Sequence, residues 1–136
     1  MRTYVTLDNF SASNESDIVY VSTQQESEHR PIIALRREGD YLAISASYGP
    51  LEIALRPRLQ ELVQTLNTLR PVAGLNTTRQ IGTGQAYLSL GLSDSGILLI
   101  RPTIVADATG HVSFNLKLSA EARAQLYQWL GAETSA

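Results

Sequence analysis

The chain has 136 residues, of which 43% are apolar and 18% charged, and its formal net charge is −2. These values fit one globular domain over residues 1–136, and they exclude a disordered or collagen-like chain. No apolar run approaches the roughly 18 residues that a membrane helix needs. The first residues lack the apolar core of a signal peptide. We therefore expect a cytoplasmic protein with no membrane insertion.

The residue types that carry much enzyme chemistry are scarce in this chain. It has no cysteine, which excludes disulfides, thiolate catalysis and cysteine-ligated zinc. His29 and His111 are the two histidines and lack partners at metal-ligand spacing, so we expect no metal site and no cofactor. The segment Gly91–Gly96 resembles a nucleophile elbow, but Ser95 replaces its second glycine and strands are predicted on both sides. We expect a hairpin turn there, no catalytic residues, and a protein that is not an enzyme.

Hydrophobic periodicity predicts strands and a helix in the first half of the chain. An apolar stripe at helical spacing runs from Leu59 to Leu69, with Pro57 in the first turn and Pro71 at the end. Residues 11–16 and 71–85 are rich in turn formers, which predicts a loop and a connector. Runs that alternate or are rich in β-branched residues predict strands at Tyr4–Leu7, Asp17–Ser22, Pro31–Arg37, Tyr41–Ser47 and Leu51–Leu55.

The second half shows the same kind of pattern. Strands are predicted at Tyr87–Leu92, at Ile97–Arg101 with a continuation through Val105 left open, and at Val112–Leu118. A helix follows at once, because Ser119 is a favoured N-cap and Gly131 a favoured C-terminal stop. Its predicted apolar face consists of Ala122, Leu126, Trp129 and Leu130.

The two halves overlay as an internal repeat. Residues 51–57 align with residues 114–120 at an offset of 63 positions, and the helices that follow align at the same offset. The predicted repeat covers approximately residues 17–70 and 86–131. Strands with one apolar face need a second layer, which the two helices supply. The predicted fold class is α+β, with one or more antiparallel sheets packed against two helices and built from two tandem units of three or four strands and a helix.

The unit from Tyr87 to Leu130 resembles a known family. Its order of strands followed by a helix is similar to that of single-stranded-DNA-binding transcriptional regulators of the PC4 coactivator and plant Whirly type. Over residues 17–131, two such units in one chain are similar to Whirly proteins. The Lys-Gly-rich motif of Whirly proteins and the basic Ser/Lys-rich tail of PC4 are missing from this sequence. The resemblance implies a transcription regulator that binds single-stranded DNA through its sheet.

Strand alternation selects the residues expected on the outer sheet face. Residues 31–79 hold six arginines against four acids, whereas residues 1–30 hold two arginines against five acids. Aromatic and arginine side chains on an open sheet suit base stacking and contacts to the nucleic-acid backbone. The candidate residues for binding nucleic acid or a partner are Arg36, Tyr41, Tyr87, Arg101 and Lys117.

Two hypotheses about function remain open. The first is a non-enzymatic regulatory module that binds single-stranded nucleic acid through the outer sheet face. The second is an accessory or assembly factor, a homodimer or a subunit of a larger complex, which binds protein and no nucleic acid. Ile97 and Leu99, predicted on the outer face, would suit such a protein partner.

Overall fold

The computed structural model describes residues 3–13, 17–25, 29–74, 77, 79–107 and 109–132. Within these residues the chain forms twelve strands in two sheets, together with two helices, and the predicted α+β class is confirmed. The first sheet, here the N-sheet, is an antiparallel meander. From edge to edge it consists of β2 (Asn9–Ala12), β3 (Ile18–Ser22), β4 (Ile32–Glu38), β5 (Tyr41–Tyr48) and β6 (Leu51–Leu55).

The second sheet, here the C-sheet, is mixed. Its main path runs through β1 (Val5–Leu7), β12 (Leu116–Leu118), β10 (Leu98–Asp107), β9 (Ala86–Ser93) and β7 (Pro71–Val72). In addition, β8 (Arg79–Gly82) pairs with β9, and β11 (Gly110–Ser113) pairs with β10. The β1–β12 and β7–β9 pairs are parallel and the other pairs antiparallel. The helices are α1 (Leu59–Thr68) and α2 (Ala120–Leu130).

One apolar core joins both sheets and both helices. A cavity of about 20 Å³ lies among the buried side chains of this core. The helices therefore pack with two sheets rather than covering one face of a single sheet. The cavity is lined by Ile33, Leu35 and Ile44 of the N-sheet, Leu88, Leu90, Leu98 and Ile100 of the C-sheet, Leu62 and Leu66 of α1, and Leu126 and Leu130 of α2.

Pairing creates strands in segments that the sequence predicts to be loops. Strand β2 includes residues 11 and 12 because it pairs with β3. Strands β7 and β8 lie in the predicted connector and pair with β9. The predicted strand Val112–Leu118 is divided into β11 and β12 beside Pro102. Phe114 N–H donates to the Pro102 carbonyl at 3.1 Å, but Pro102 has no N–H to donate in return.

The order of the elements resembles a repeat without establishing one. Strands β1 to β6 precede α1, and strands β7 to β12 lie between α1 and α2. The N-sheet is a simple meander, whereas the C-sheet also takes in β1 and β7 by parallel pairing. Duplication of one unit stays a prediction.

The helix boundaries follow local chemistry. Ser119 caps α2 as predicted, since its Oγ accepts a hydrogen bond from Ala122 N–H at 3.2 Å. Gly131 ends α2 with a φ of 79°, a left-handed conformation that favours glycine. Pro57 lies outside α1, whose N-cap is Arg58 without a side-chain capping bond. Of the predicted apolar face of α2, Trp129 is half-buried and the other three residues are buried, and the helix also buries Arg123 and Tyr127.

Arg37 stabilises the C-terminal end of α2 from the N-sheet. Its guanidinium donates to the Trp129 carbonyl and lies 4.4 Å from the centroid of the Trp129 ring. The last turn of α2 has no basic residue of its own. We expect Arg37→Ala to lower the free energy of unfolding by about 1–2 kcal/mol, because a cation–π contact and a contact to the helix dipole are lost. Urea unfolding measures this, with Arg36→Ala as the control; equal losses in both variants would contradict the prediction.

Candidate functional site

The outer face of the N-sheet forms a shallow trough. The sheet register sets Tyr20, Ala34, Ser45 and Ala54 opposite one another across four strands. Because side chains alternate along a strand, this row faces away from the core residues beside it. The small side chains in the row leave a depression of about 310 Å³. Its lining consists of Ile18, Ala34, Leu35, Arg36, Ala43, Ile44, Ser45, Ala54, Leu55 and Arg56.

Charged and aromatic side chains gather at one end of this trough. Glu38 and Tyr41 are cross-strand neighbours in the β4–β5 hairpin. Arg36 donates to Glu38 Oε2, and Arg56 Nε donates to Glu38 Oε1 at 3.0 Å. The guanidinium carbons of Arg56 and Arg58 lie 4.4 Å and 5.4 Å from the centroid of the Tyr41 ring. We refer to these five residues as the arginine–tyrosine cluster.

The ion pairs of the cluster are open to solvent. The side chains of Arg36 and Arg56 are 55% and 57% exposed, and that of Glu38 is 27% exposed. Hydrogen bonds from Arg36, and then from Arg56, lower the pKa of the Glu38 carboxyl. The carboxylate therefore stays ionised at pH values somewhat below its usual titration range. Exposed ion pairs of this kind are weak, so both guanidinium groups remain accessible to a ligand.

A second depression continues the surface towards the C-sheet. This hairpin cleft, of about 250 Å³, lies between β6 and the β8–β9 hairpin. Arg56 lines both the trough and the cleft, and Tyr87 lines the cleft. The lining of the cleft consists of Ala54, Leu55, Arg56, Pro57, Ile81, Gly82, Thr83, Ala86, Tyr87 and Leu88.

The corresponding face of the C-sheet is largely covered. Leu99 and Thr103 alternate with core residues of β10, yet they are 0% and 1% exposed. Leu99 was expected on an open face suited to a protein partner, and this expectation is wrong because the side chain is already buried within the chain. Arg101 and Lys117 are half-buried on the same face. Arg101 Nε is buried and has no hydrogen-bond partner within the described part of the chain.

The five predicted site residues are therefore distributed over two surfaces. Arg36 and Tyr41 belong to the arginine–tyrosine cluster, and Tyr87 reaches the adjoining hairpin cleft. Arg101 and Lys117 lie on the C-sheet, on β10 and β12, and line neither depression.

Sequence reasoning missed four residues of this surface. These residues are Tyr20, Glu38, Arg56 and Arg58. The alternation from Glu52 to Ala54, carried one step further, would have placed Arg56 on the outer face. The contacts of Glu38 and Arg58 depend on how the β4–β5 hairpin meets the chain after β6, which periodicity does not predict.

Among the described residues we find no metal site and no membrane-spanning helix. No group of three or more histidine, aspartate or glutamate side chains there could hold a metal ion. His29 and His111 are exposed and lie in different parts of the fold, a loop and strand β11. The described helices are also too short or too polar to cross a membrane.

Comparison with known proteins does not assign a family to this chain. We compared the chain with protein-family models, with curated proteins and with solved structures, and found no match in any of the three.

Proposed function

We propose that the protein is a non-enzymatic module that binds single-stranded nucleic acid on the outer face of the N-sheet. The observation that supports this proposal is the arginine–tyrosine cluster at the end of an open trough. Arg36, Arg56 and Arg58 offer planar donors that match phosphate oxygens. Tyr41 provides an aromatic ring beside them, and such rings stack on bases of any identity.

The shape and charge of the surface favour a single strand over a duplex. The trough floor is made of small side chains such as Ala34, Ser45 and Ala54, over which flat bases can lie. Tyr20, cross-strand from Ala34, is 41% exposed and offers a second ring for stacking. A duplex has no unstacked bases to offer, and a chain with a net charge of −2 attracts its dense phosphates weakly. The resemblance to PC4 and Whirly proteins points to the same class of ligand, single-stranded DNA, although the unit that carries it, Tyr87 to Leu130, lies in the C-sheet and α2.

The test is a titration of a fluorescein-labelled mixed-sequence oligonucleotide, followed by anisotropy. We expect binding at low salt that weakens as salt rises, with a slope of log K against log [NaCl] near −2, because three arginines contribute about −0.7 each for a single strand. The matched duplex should bind more weakly. Inorganic polyphosphate should compete less well than the oligonucleotide, because it carries charge without bases to stack.

The proposal fails if no binding occurs at the lowest salt. It also fails if polyphosphate and the oligonucleotide compete equally well, since the tyrosine rings would then contribute nothing. Absence of nucleic-acid binding would favour the alternative of an accessory protein that binds another protein.

A further inference from the structure

Glu38 occupies the positions where the arginine–tyrosine cluster would hold a phosphate. Its two carboxylate oxygens each accept a hydrogen bond from a different guanidinium, that of Arg36 and that of Arg56. A carboxylate and a phosphate present similar pairs of oxygens to a guanidinium fork. The two anions would therefore compete for the same donors.

We propose that Glu38 is an internal competitor that limits the affinity of the cluster for nucleic-acid phosphate. This inference rests on the proposed function of the same surface. In the free protein, Glu38 pairs with Arg36 and Arg56, and Arg56 lies against the Tyr41 ring. A bound phosphate takes over one or both guanidinium groups, and the displaced carboxylate then lies near the phosphate as a like charge.

Two opposite effects of Glu38 have to be weighed. The carboxylate orders the arginine side chains, which helps a ligand, and it repels the phosphate, which hinders it. Exposed ion pairs contribute little ordering, and here the arginine side chains are 55% and 57% exposed. The repulsion between the Glu38 carboxylate and a phosphate bound to the same guanidinium is larger than this ordering effect. Removal of the Glu38 charge should therefore strengthen binding.

The same face contains a matched control. Glu52 is exposed and accepts a hydrogen bond from Ser45 Oγ at 2.8 Å, and no arginine among the described residues forms an ion pair with it. Glu38→Gln and Glu52→Gln change the net charge of the chain by the same amount. A general electrostatic effect would appear in both variants, whereas competition for Arg36 and Arg56 would appear only in Glu38→Gln.

The experiment is the oligonucleotide titration at low salt with wild type, Glu38→Gln and Glu52→Gln. We expect Glu38→Gln to bind about tenfold tighter than wild type, and Glu52→Gln to change affinity by less than about twofold, because the Glu52 carboxylate is bonded to Ser45 and does not compete for the guanidinium groups of Arg36 and Arg56. The cost of Arg36→Ala should also be larger in the Glu38→Gln background than in wild type, because Glu38 no longer engages Arg36 there. Thermal unfolding of both glutamine variants near the wild-type midpoint would show that they are folded.

The outcomes separate this inference from the proposed function. If wild type binds and Glu38→Gln binds no tighter than Glu52→Gln, competition by Glu38 is wrong while nucleic-acid binding stands. If Glu38→Gln binds and wild type does not, nucleic-acid binding by the wild-type protein is wrong, while competition by Glu38 for the arginines of the cluster is supported. If neither binds, both the inference and the proposed function are wrong.

Discussion

The double variant Arg36→Ala/Arg56→Ala is expected to bind a single-stranded oligonucleotide about 30- to 100-fold more weakly than wild type at low salt. Each substitution removes one charge-assisted contact that contributes about 1–1.4 kcal/mol at an exposed site. Arg56 also loses its position 4.4 Å from the Tyr41 ring. The dependence of log K on log [NaCl] should become shallower by about 1.4, since two phosphate contacts are lost.

A control of equal charge distinguishes the site from the net charge of the chain. Arg70 and Arg79 are exposed and lie outside the trough and the hairpin cleft. The double variant Arg70→Ala/Arg79→Ala should bind within about threefold of wild type, because it changes only long-range attraction. Equal weakening in the two double variants would contradict a site on the N-sheet. It would indicate binding by net charge alone.

A separate double variant tests the other predicted residues. Arg101 and Lys117 lie on the covered face of the C-sheet, away from both depressions. If Arg101→Ala/Lys117→Ala weakened binding more than Arg36→Ala/Arg56→Ala, the binding surface would have to be moved to the C-sheet.

Local chemistry in the sequence was sufficient to predict α2. Ser119 and Gly131 set its ends through a side-chain hydrogen bond and a left-handed backbone, both of which depend on residue type alone. Strands β7 and β8 could not be predicted in the same way. They are short segments at the edge of the C-sheet, and they are extended because β9 pairs with them. Tertiary pairing of this kind leaves no periodic signal in the sequence.

For the candidate site, alternation predicted the face of a residue but not its surroundings. It placed Tyr41 on an outer face, where the structure brings its ring next to Arg56 and Arg58. It also placed Leu99 on an outer face, where the structure buries that side chain completely. Because side chains alternate along a strand with a period of two residues, the sequence indicates on which side of its own strand a side chain lies. Which of two sheets a strand joins, and whether other parts of the chain cover that face, depend on the whole fold.

Leu98→Ala is expected to lower the free energy of unfolding by about 3–5 kcal/mol, the largest loss among the stability variants considered. Leu98 is 0% exposed. It is paired with Leu92 on one side and with Leu118 on the other. Its side chain lines the core cavity together with residues of both sheets and both helices. Truncation removes apolar contacts and enlarges a cavity that closely packed neighbours cannot fill.

Leu51→Ala is the matched control because it removes the same atoms from another strand position. The structure leaves Leu51 57% exposed at the edge of the N-sheet. This variant should therefore lose less than about 1 kcal/mol. Equal losses in Leu98→Ala and Leu51→Ala would contradict the described core. Should Leu98→Ala fail to fold, Leu98→Val gives a graded version of the same comparison.

Two spectroscopic signals, measured during urea unfolding of Leu98→Ala, test how the two sheets are coupled. Trp129 belongs to α2 and contacts Arg37 of the N-sheet, so its fluorescence reports the junction of the C-terminal helix with that sheet. Circular dichroism reports secondary structure throughout the chain. Because Leu98 lines a core shared by both sheets, the substitution should shift the urea midpoints of both signals by the same amount. If the two midpoints shifted by different amounts, the two sheets would unfold independently. That result would contradict a single core shared by both sheets.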